Sequence, residues 1–307
     1  MSLMNADTEI IDEPSFATRM LRMLWADKFA LCAAIFLVIV VILAFVGPAW
    51  LGDLATKQNL RGRNLAPFDW QREWYFWLGA DALGRPLVAR IVAATQNTMM
   101  IAAGAVFLSA VTGTVLGLIA GFSSSRTGQI IMRLADVIMS FPSLLIAVIV
   151  LYLLGSSILN LMLVLAITRI PVYIRTTRAE VLEVRERMFV QAARVMGASG
   201  KRILFRHILP VVLPTLTTLA TLDFAYVMLA ESALSFLGIG IQPPEITWGL
   251  MISQGRQYLT NAWWLSFWPG LAIILTTLSL NLLSNWLRIA LDPVQRWRLE
   301  MKGRKNG

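Results

Sequence analysis

The sequence predicts an all-α polytopic membrane protein with six transmembrane helices. Of its 307 residues, 57% are hydrophobic and only 15% are charged, whereas a soluble domain carries about 25% charged residues. The apolar residues come in blocks of about 20, the length with which a helix crosses roughly 30 Å of hydrocarbon. The net charge of +9 does not indicate nucleic-acid binding, because the basic residues flank the apolar blocks and do not cover one soluble face.

Each apolar block predicts one transmembrane helix. The first block is the clearest, since it has an uncharged run from Ile35 to Ile42. The fourth is the weakest, because Arg169 and Pro171 interrupt it, and an arginine inside a membrane is costly unless it is paired or faces water. This span is therefore expected inside the bundle or beside a polar cavity. The predicted spans are 29–49, 98–121, 134–154, 157–175, 210–232 and 266–288.

Small residues mark one face of the second span. Gly113, Gly117 and Gly121 recur at every fourth position. That spacing places them on one stripe of a helix, where missing side chains let another helix approach closely. The stripe therefore predicts tight helix packing and not a chemical site.

The distribution of lysine and arginine predicts that both termini are cytoplasmic. Residues 1–28 begin acidic and reach their apolar block late, which is unlike a cleavable signal peptide, so we expect a cytoplasmic extension. Residues 50–97 then form a periplasmic loop, and 98–288 form a five-helix core that includes the cytoplasmic loop 176–209. Residues 289–307 form a basic cytoplasmic tail.

The most informative stretch runs from Phe189 to Pro210, a basic, helix-forming block between two apolar spans. Helix formers predominate before it, from about residue 180, and Phe189, Ala193 and Met196 share one helical face. Gly197 is expected to end that helix. Ser199 is expected to cap a second, short helix, and Pro210 suits the first turn of the next span.

This predicted order is helix, turn, short helix and membrane span. The small side chains of Ala192 and Ala193 would let an opposing surface come close to the backbone. A rigid shape of this kind outside the membrane suggests a docking element for another protein.

The same stretch resembles the "EAA" loop of bacterial ABC importer permeases, whose pattern is E-A-A, three residues, G, nine residues and I-x-L-P. Gln191-Ala192-Ala193, Gly197 and Leu209-Pro210 fall in register with it. Gln191 stands where the pattern has glutamate, and His207 stands where it has isoleucine.

Three further stretches resemble the dipeptide, oligopeptide and nickel permeases of that family, most closely their "C" type. Residues 79–85, G-A-D-A-L-G-R, resemble G-T-D-x-x-G-R-D, although Pro86 replaces the last aspartate. Residues 231–249 contain E-S-A-L-S-F-L-G, then Q-P-P and W-G. Residues 281–293 fit N-L-L-G-D…L-D-P, with Ser284-Asn285 departing at G-D.

The resemblance implies a type I ABC importer permease fold in a bacterial inner membrane, and a heteromeric complex. Its expected partners are a homologous second permease, one or two cytoplasmic ATPases, a periplasmic or lipid-anchored binding protein, and membrane lipid. The loop would be a coupling helix seated on an ATPase. The implied coupling residues are Gln191, Ala192, Ala193, Gly197, Ala198, Ser199, Lys201, Arg202, Leu209 and Pro210. The residues implied to lie towards the binding protein are Asp81, Gly84, Arg85, Pro243, Pro244 and Trp248.

No catalytic, metal or cofactor site is expected on this chain. The sequence has no G-x-x-x-x-G-K-[ST] phosphate loop, so ATP and Mg²⁺ are expected on the partner ATPases. The single histidine, His207, has no candidate metal partner nearby. The chain is therefore not expected to be an enzyme.

Three polar residues are candidates for the translocation path. Asp223 lies deep in the fifth span, and acids there face a bundle interior or a wet cavity. It either pairs with Arg169 or lines the path. Glu231 is a third candidate, although a packing role fits its position better. Asp136, near the start of the third span, is expected to be an interfacial residue.

Two questions remain open at the level of sequence. A stand-alone secondary carrier or channel is the alternative function, although it would not need the block 191–210. The substrate is also open, because relatives of this type carry dipeptides, oligopeptides, glutathione, nickel complexes, opines or oligosaccharides. Import is the default direction for the family.

Overall fold

The computed structural model describes residues 16–123 and 126–291, and these residues are almost entirely helical, with no strand among them. Three short 3₁₀ segments lie at Leu60–Gly62, Trp74–Phe76 and Arg256–Tyr258. The helices are α1 Phe16–Ala26, α2 Lys28–Thr56, α3 Leu87–Phe122, α4 Arg126–Met139, α5 Ser143–Leu154, α6 Ile158–Val184, α7 Met188–Val195, α8 Gly200–Arg202, α9 Leu209–Phe236, α10 Trp248–Gly255 and α11 Trp264–Leu291.

Five described helices are long and apolar enough to cross a membrane: α2, α3, α6, the continuous helix Gly200–Phe236, and α11. The third predicted span, 134–154, is not one helix. It is the bent pair α4 and α5, whose axes differ by 82°. The break falls at Ser140-Phe141-Pro142, because proline has no N–H to donate and disfavours a helical residue before it. Counting this pair as one span gives the predicted six.

The span boundaries differ most at the start of α3. This helix begins at Leu87, whereas the sequence predicts a span from 98, so the predicted loop 50–97 shrinks to 57–86. The cause is Arg90, whose charge argues against a span but which is buried in the fold. The stretch 238–265, between the fifth and sixth predicted spans, also contains a helix, α10. Residues 1–15 and the tail from 292 onwards, including Asp292 and Pro293, lie outside the described residues.

The chain alternates between two ends of the bundle. One end, called here the Gly197 end, holds the end of α6, the 188–202 segment and the start of the Gly200–Phe236 helix. The other, called the Asp81 end, holds the loop 57–86, α10 and the start of α11. The amphipathic helix α1 packs at the Gly197 end, where buried Met23 clusters with Trp286 and Ala290 of α11.

The glycine stripe of α3 lies directly against α6, as its spacing predicts. A Cβ atom at Gly113 would lie 2.4 Å from the Cβ of Tyr173, and one at Gly117 would lie 2.6 Å from the Cβ of Thr177. A Cβ atom at Gly121 would lie 2.7 Å from the Cβ of Val181. The two helices therefore approach each other as closely as backbones without side chains allow.

We expect Gly117→Val to destabilise the protein by about 1–3 kcal/mol, because the new side chain overlaps both Thr177 and the backbone oxygen of Ile174. The measurement is the melting temperature of detergent-purified protein by fluorescence-detected size exclusion. Gly52→Val is the matched control, since a Cβ at Gly52 meets nothing within 4 Å. Equal melting temperatures for the two variants would contradict the close packing.

Candidate functional site

The turn at the end of α7 is fixed by its own backbone. Gly197 has φ +81°, a left-handed conformation that side-chain-bearing residues rarely adopt. The N–H of Ala198 donates to the carbonyl of Ala193 at 3.0 Å, and the N–H of Gly197 donates to that of Arg194 at 3.0 Å. These two bonds form a Schellman motif. The predicted helix stop at Gly197 is therefore confirmed.

The chain after the turn re-enters a helix at Ser199. Its side chain accepts from the backbone N–H of Arg202 at 3.4 Å, so the predicted N-cap is confirmed. The second short helix is not separate, however. It passes through a π-helical stretch, Ile203–Ile208, directly into α9. The wider π turns accommodate Pro210, which cannot donate to a carbonyl in the preceding turn.

One side of α7 packs on this continuous helix and the other is open. Val190 is fully buried and clusters with Ile203 and Ile208, and Ala193 is 3% exposed. Of the three residues predicted to share one helical face, Ala193 is buried, whereas Phe189 and Met196 are exposed. Helix α7 begins only at Met188, after a break at residues 185–187, and its inward side is the one that packs on the following helix.

The open side of the 188–202 segment ends in an apolar tip formed by Met188, Val195 and Met196, whose exposures are 88%, 88% and 80%. Arg194, Lys201 and Arg202, also exposed, supply positive charge beside it. Among the other predicted coupling residues, Gln191, Ala192, Ser199 and Pro210 are exposed, and Ala198 and Leu209 are half-buried.

A buried ion pair joins α6 to α9 within the bundle. Arg169 donates through Nη2 to Oδ1 of Asp223, which confirms the predicted pairing. The side chain of Asp223 is 3% exposed and that of Arg169 is 18% exposed. The guanidinium carbon of Arg169 lies 4.3 Å from the ring centroid of Tyr226, a cation–π arrangement that adds to the pair.

The broken span is tied to the core by two polar contacts. In α5, the hydroxyl of Ser143 lies 3.0 Å from that of Tyr226, the residue that stacks on Arg169. In α4, Asp136 accepts from Arg175 at 2.5 Å, and both side chains are about half exposed. Asp136 thus bonds to a neighbouring helix, as expected of an interfacial residue.

Glu231 lies in the packed contact between α9 and α10. It is 1% exposed, and its carboxylate accepts from the hydroxyls of Ser235 at 2.8 Å and Thr247 at 2.7 Å. Thr247 also caps α10 by accepting from the N–H of Leu250. The geometry is that of a carboxylate that joins two helices and is buried among the described residues.

At the Asp81 end, the stretch 79–85 builds a turn around one carboxylate. Oδ1 of Asp81 accepts from the backbone N–H groups of Leu83 and Arg85 at 2.9 and 2.8 Å. Oδ2 accepts from Arg85 Nε and Arg90 Nη1, both at 2.7 Å. Gly84 has φ +73°, and a Cβ there would lie 1.8 Å from the carbonyl oxygen of Asn59. Each polar position of the G-A-D-A-L-G-R stretch therefore has a structural task.

The remaining predicted partner-side residues divide between surface and core. Pro243 and Pro244 are exposed. Trp248 is 2% exposed, its Nε1 donates to the carbonyl of Ile91 at 3.0 Å, and its backbone N–H donates to Oγ1 of Thr98 at 3.1 Å. Trp248 therefore fastens α10 to α3. The sequence predicts none of these long-range bonds, although the apolar run 248–252 signals burial.

A bundle of membrane-length helices, joined inside by a buried ion pair, defines the class of polytopic helical membrane proteins. Residues 113–297 match the family of binding-protein-dependent transport system inner membrane components. The chain belongs to this family.

Curated relatives agree with this assignment over most of the chain. The di/tripeptide transport system permease protein DppC of Pseudomonas aeruginosa is 39% identical over 87% of this chain and 88% of its own length. The probable D,D-dipeptide transport system permease protein DdpC of Escherichia coli is 34% identical over 90% and 91%. The nickel transport system permease protein NikC of Escherichia coli is 35% identical over 88% and 94%.

The chain is thus an ABC transporter permease of the peptide/nickel importer type, a multi-pass protein of an inner-membrane family. Its relatives are permease subunits, which are not themselves enzymes.

We expect Asp223→Asn to lower the free energy of unfolding by about 3 kcal/mol, because it leaves Arg169 charged and unpaired inside the bundle. The double variant R169Q/D223N removes both charges and should be more stable than the single one. Thermal unfolding of the purified protein measures both effects.

The control for the Asp223 variants is the exposed ion pair between Arg175 and Asp136. Breaking it with Asp136→Asn should cost less than about 1 kcal/mol. If Asp223→Asn cost as little as Asp136→Asn, the buried pair would not hold α6 against α9.

Proposed function

We propose that this chain forms half of the translocation path of an ABC importer and is driven through residues 191–206 by a cytoplasmic ATPase. The observation that carries the proposal is the 188–202 segment, with its Schellman turn at Gly197 and its exposed apolar tip. Exposed apolar patches rimmed by charge are typical of protein–protein contact sites. The turn is held in one shape, as a force-bearing contact requires.

The packing of α7 supports a mechanical role. Val190 clusters with Ile203, Ile208 and Val212 of the helix that follows. That helix runs for 37 residues, Gly200–Phe236, or about 55 Å at 1.5 Å per residue. A displacement of the tip would therefore move one stiff element that carries Asp223 and Glu231. An ATPase can bias the resulting two states only by binding one of them more tightly.

The proposed complex has the partners that the family resemblance implies. These are a homologous second permease, one or two ATPases that bind ATP and Mg²⁺, a periplasmic or lipid-anchored binding protein, and surrounding lipid. The Gly197 end and both termini would be cytoplasmic, and the Asp81 end would be periplasmic. The relatives named for dipeptide and tripeptide transport support peptides or related small solutes as cargo.

Among the candidate path residues, we favour Arg169 as the group that meets the solute. The side chain of Arg169 is 18% exposed, and that of Asp223 is 3% exposed. Glu231, counted as a whole residue, is 1% exposed. Asp223 would then position the guanidinium, and Glu231 would join two helices. A change of substrate preference in Arg169→Lys, with assembly intact, would support this division.

We expect Val195→Glu to abolish ATP-driven uptake and to reduce co-purification of the ATPases at least about tenfold, because a charge would enter an apolar contact. The fold should survive, since Val195 is 88% exposed. The measurement is pull-down of the ATPases with the tagged permease, followed by uptake in proteoliposomes.

Leu60→Glu is the matched control, because Leu60 is 62% exposed at the Asp81 end. It should retain the ATPases in full. Ala193→Glu is a poorer test than Val195→Glu, since Ala193 is buried and a charge there would disturb the fold. Normal uptake by the Val195→Glu complex would overturn the coupling role.

The alternative of a stand-alone carrier or channel makes the opposite prediction for flux. We expect proteoliposomes holding only the two permeases to take up no more radiolabelled L-alanyl-L-alanine than empty liposomes. Adding the ATPases, ATP and the binding protein should produce uptake, because the energy source lies on the partners. Uptake without ATPases would establish the alternative.

A further inference from the structure

A polar cavity of about 410 Å³ opens at the Asp81 end. It lies between the start of α3, the end of α9, α10 and the start of α11. Its polar lining includes Asp81, Arg85, Arg90, Gln242, Gln254 and Tyr258. The volume falls in the range of about 300–1,000 Å³ that is typical of small-molecule sites.

The cavity wall carries more positive than negative charge. Among the described residues, Asp81 is the one acid in the lining, and its carboxylate is shared between Arg85 and Arg90. Within the described ranges, neither arginine has an ion pair with another carboxylate. Glu231 lies behind the lining residue Ser235, and its Oε1 is already bonded to two hydroxyls. One guanidinium charge is thus left without a counter-charge.

The buried arginine is incompletely bonded. Arg90 is 3% exposed, and its Nη2 donates to Oε1 of Gln254 at 2.9 Å. Its Nε has no partner among the described residues. Because Gln254 accepts through its oxygen, its amide nitrogen remains a donor. Buried charges are normally paired, so the positive charge of Arg90 behind the wall, together with the amide donor of Gln254, favours an anion in the cavity.

The same features decide which kind of ligand fits the cavity. A divalent cation is disfavoured, because the wall is positive and the lone carboxylate is saturated by hydrogen bonds from Leu83, Arg85 and Arg90. No group of metal-ligating residues occurs in the part of the chain that the structure describes. Nε and Nη2 of Arg85 are held by Asp81, so a ligand carboxylate would accept a charge-assisted hydrogen bond from the Nη1 side of this guanidinium. The side-chain carboxylate of a docking protein would leave most of the volume empty.

We propose that this cavity is a binding site for a small solute with a free carboxylate, such as a short peptide, and that Arg85 is its main contact. Arg85 is the more accessible guanidinium, with a side chain 19% exposed. This proposal rests on the function proposed above for the chain, that of a permease in an ABC importer. It adds a solute site carried by this chain alone, apart from the Arg169 region.

The test measures binding of tritiated L-alanyl-L-alanine and of L-alanyl-L-alaninamide to the complete permease–ATPase complex in nanodiscs, without binding protein. We expect the acid to bind at least about tenfold more tightly than the amide, as the loss of one charge-assisted hydrogen bond implies. Arg85→Gln should remove that preference. Gln257→Glu, an exposed position in the lining, should weaken acid binding without disturbing the Asp81 turn.

Arg72→Gln is the matched control, because Arg72 pairs with Asp69 at the surface and lies outside the cavity. Equal binding of acid and amide, no binding of either, or wild-type behaviour of both cavity variants would overturn the site. ATP-driven uptake by the same purified complex, reconstituted in proteoliposomes with binding protein added, separates the two proposals. A complex that transports but fails the acid–amide comparison overturns the cavity alone, whereas one without ATP-dependent uptake overturns the importer function.

Discussion

The close contact between α3 and α6 positions the buried ion pair and the approach of the chain to α7. At Gly113 and Gly117, a Cβ atom would lie 2.8 Å from a backbone oxygen of α6, so the two helices have one allowed register. That register presents Arg169 of α6 to Asp223 of α9. It also brings Arg185, just after α6, to the carbonyl of Gly121 at 3.1 Å, where the chain turns towards α7.

The two ends of the bundle are built by different chemistry. At the Gly197 end, backbone hydrogen bonds and apolar packing fix a turn whose apolar tip stays open. At the Asp81 end, one carboxylate organises a turn and two arginines, and Trp248 and Glu231 lock α10 in place. The Gly200–Phe236 helix runs from the Gly197 end to the Asp81 end and so joins the two.

The family signatures gain a physical meaning from these contacts. Asp81, Gly84 and Trp248 fit the resemblance to partner-facing motifs, yet each is mostly buried and holds one segment against another. Asp81 is needed because its carboxylate accepts hydrogen bonds on both oxygens. Gly84 is needed for a left-handed turn, and Trp248 for the hydrogen bond of its indole. Arg85, by contrast, keeps an accessible guanidinium. The same motif therefore supplies both the scaffold and the group that we expect to meet solute in the cavity at the Asp81 end.

The sequence by itself determined the membrane class, most span positions, the glycine stripe, the stop at Gly197 and the cap at Ser199. These features depend on neighbours within a few residues or on hydropathy, which the chain carries locally. It could not place the start of α3, because Arg90 is buried only through Asp81 and through Gln254, 164 residues away. Likewise, only the tertiary structure decided that Val190 faces inward and that Pro210 lies inside a continuous helix. Burial of a charge or a choice of packing face depends on partners distant in sequence, and those partners meet only when the bundle forms.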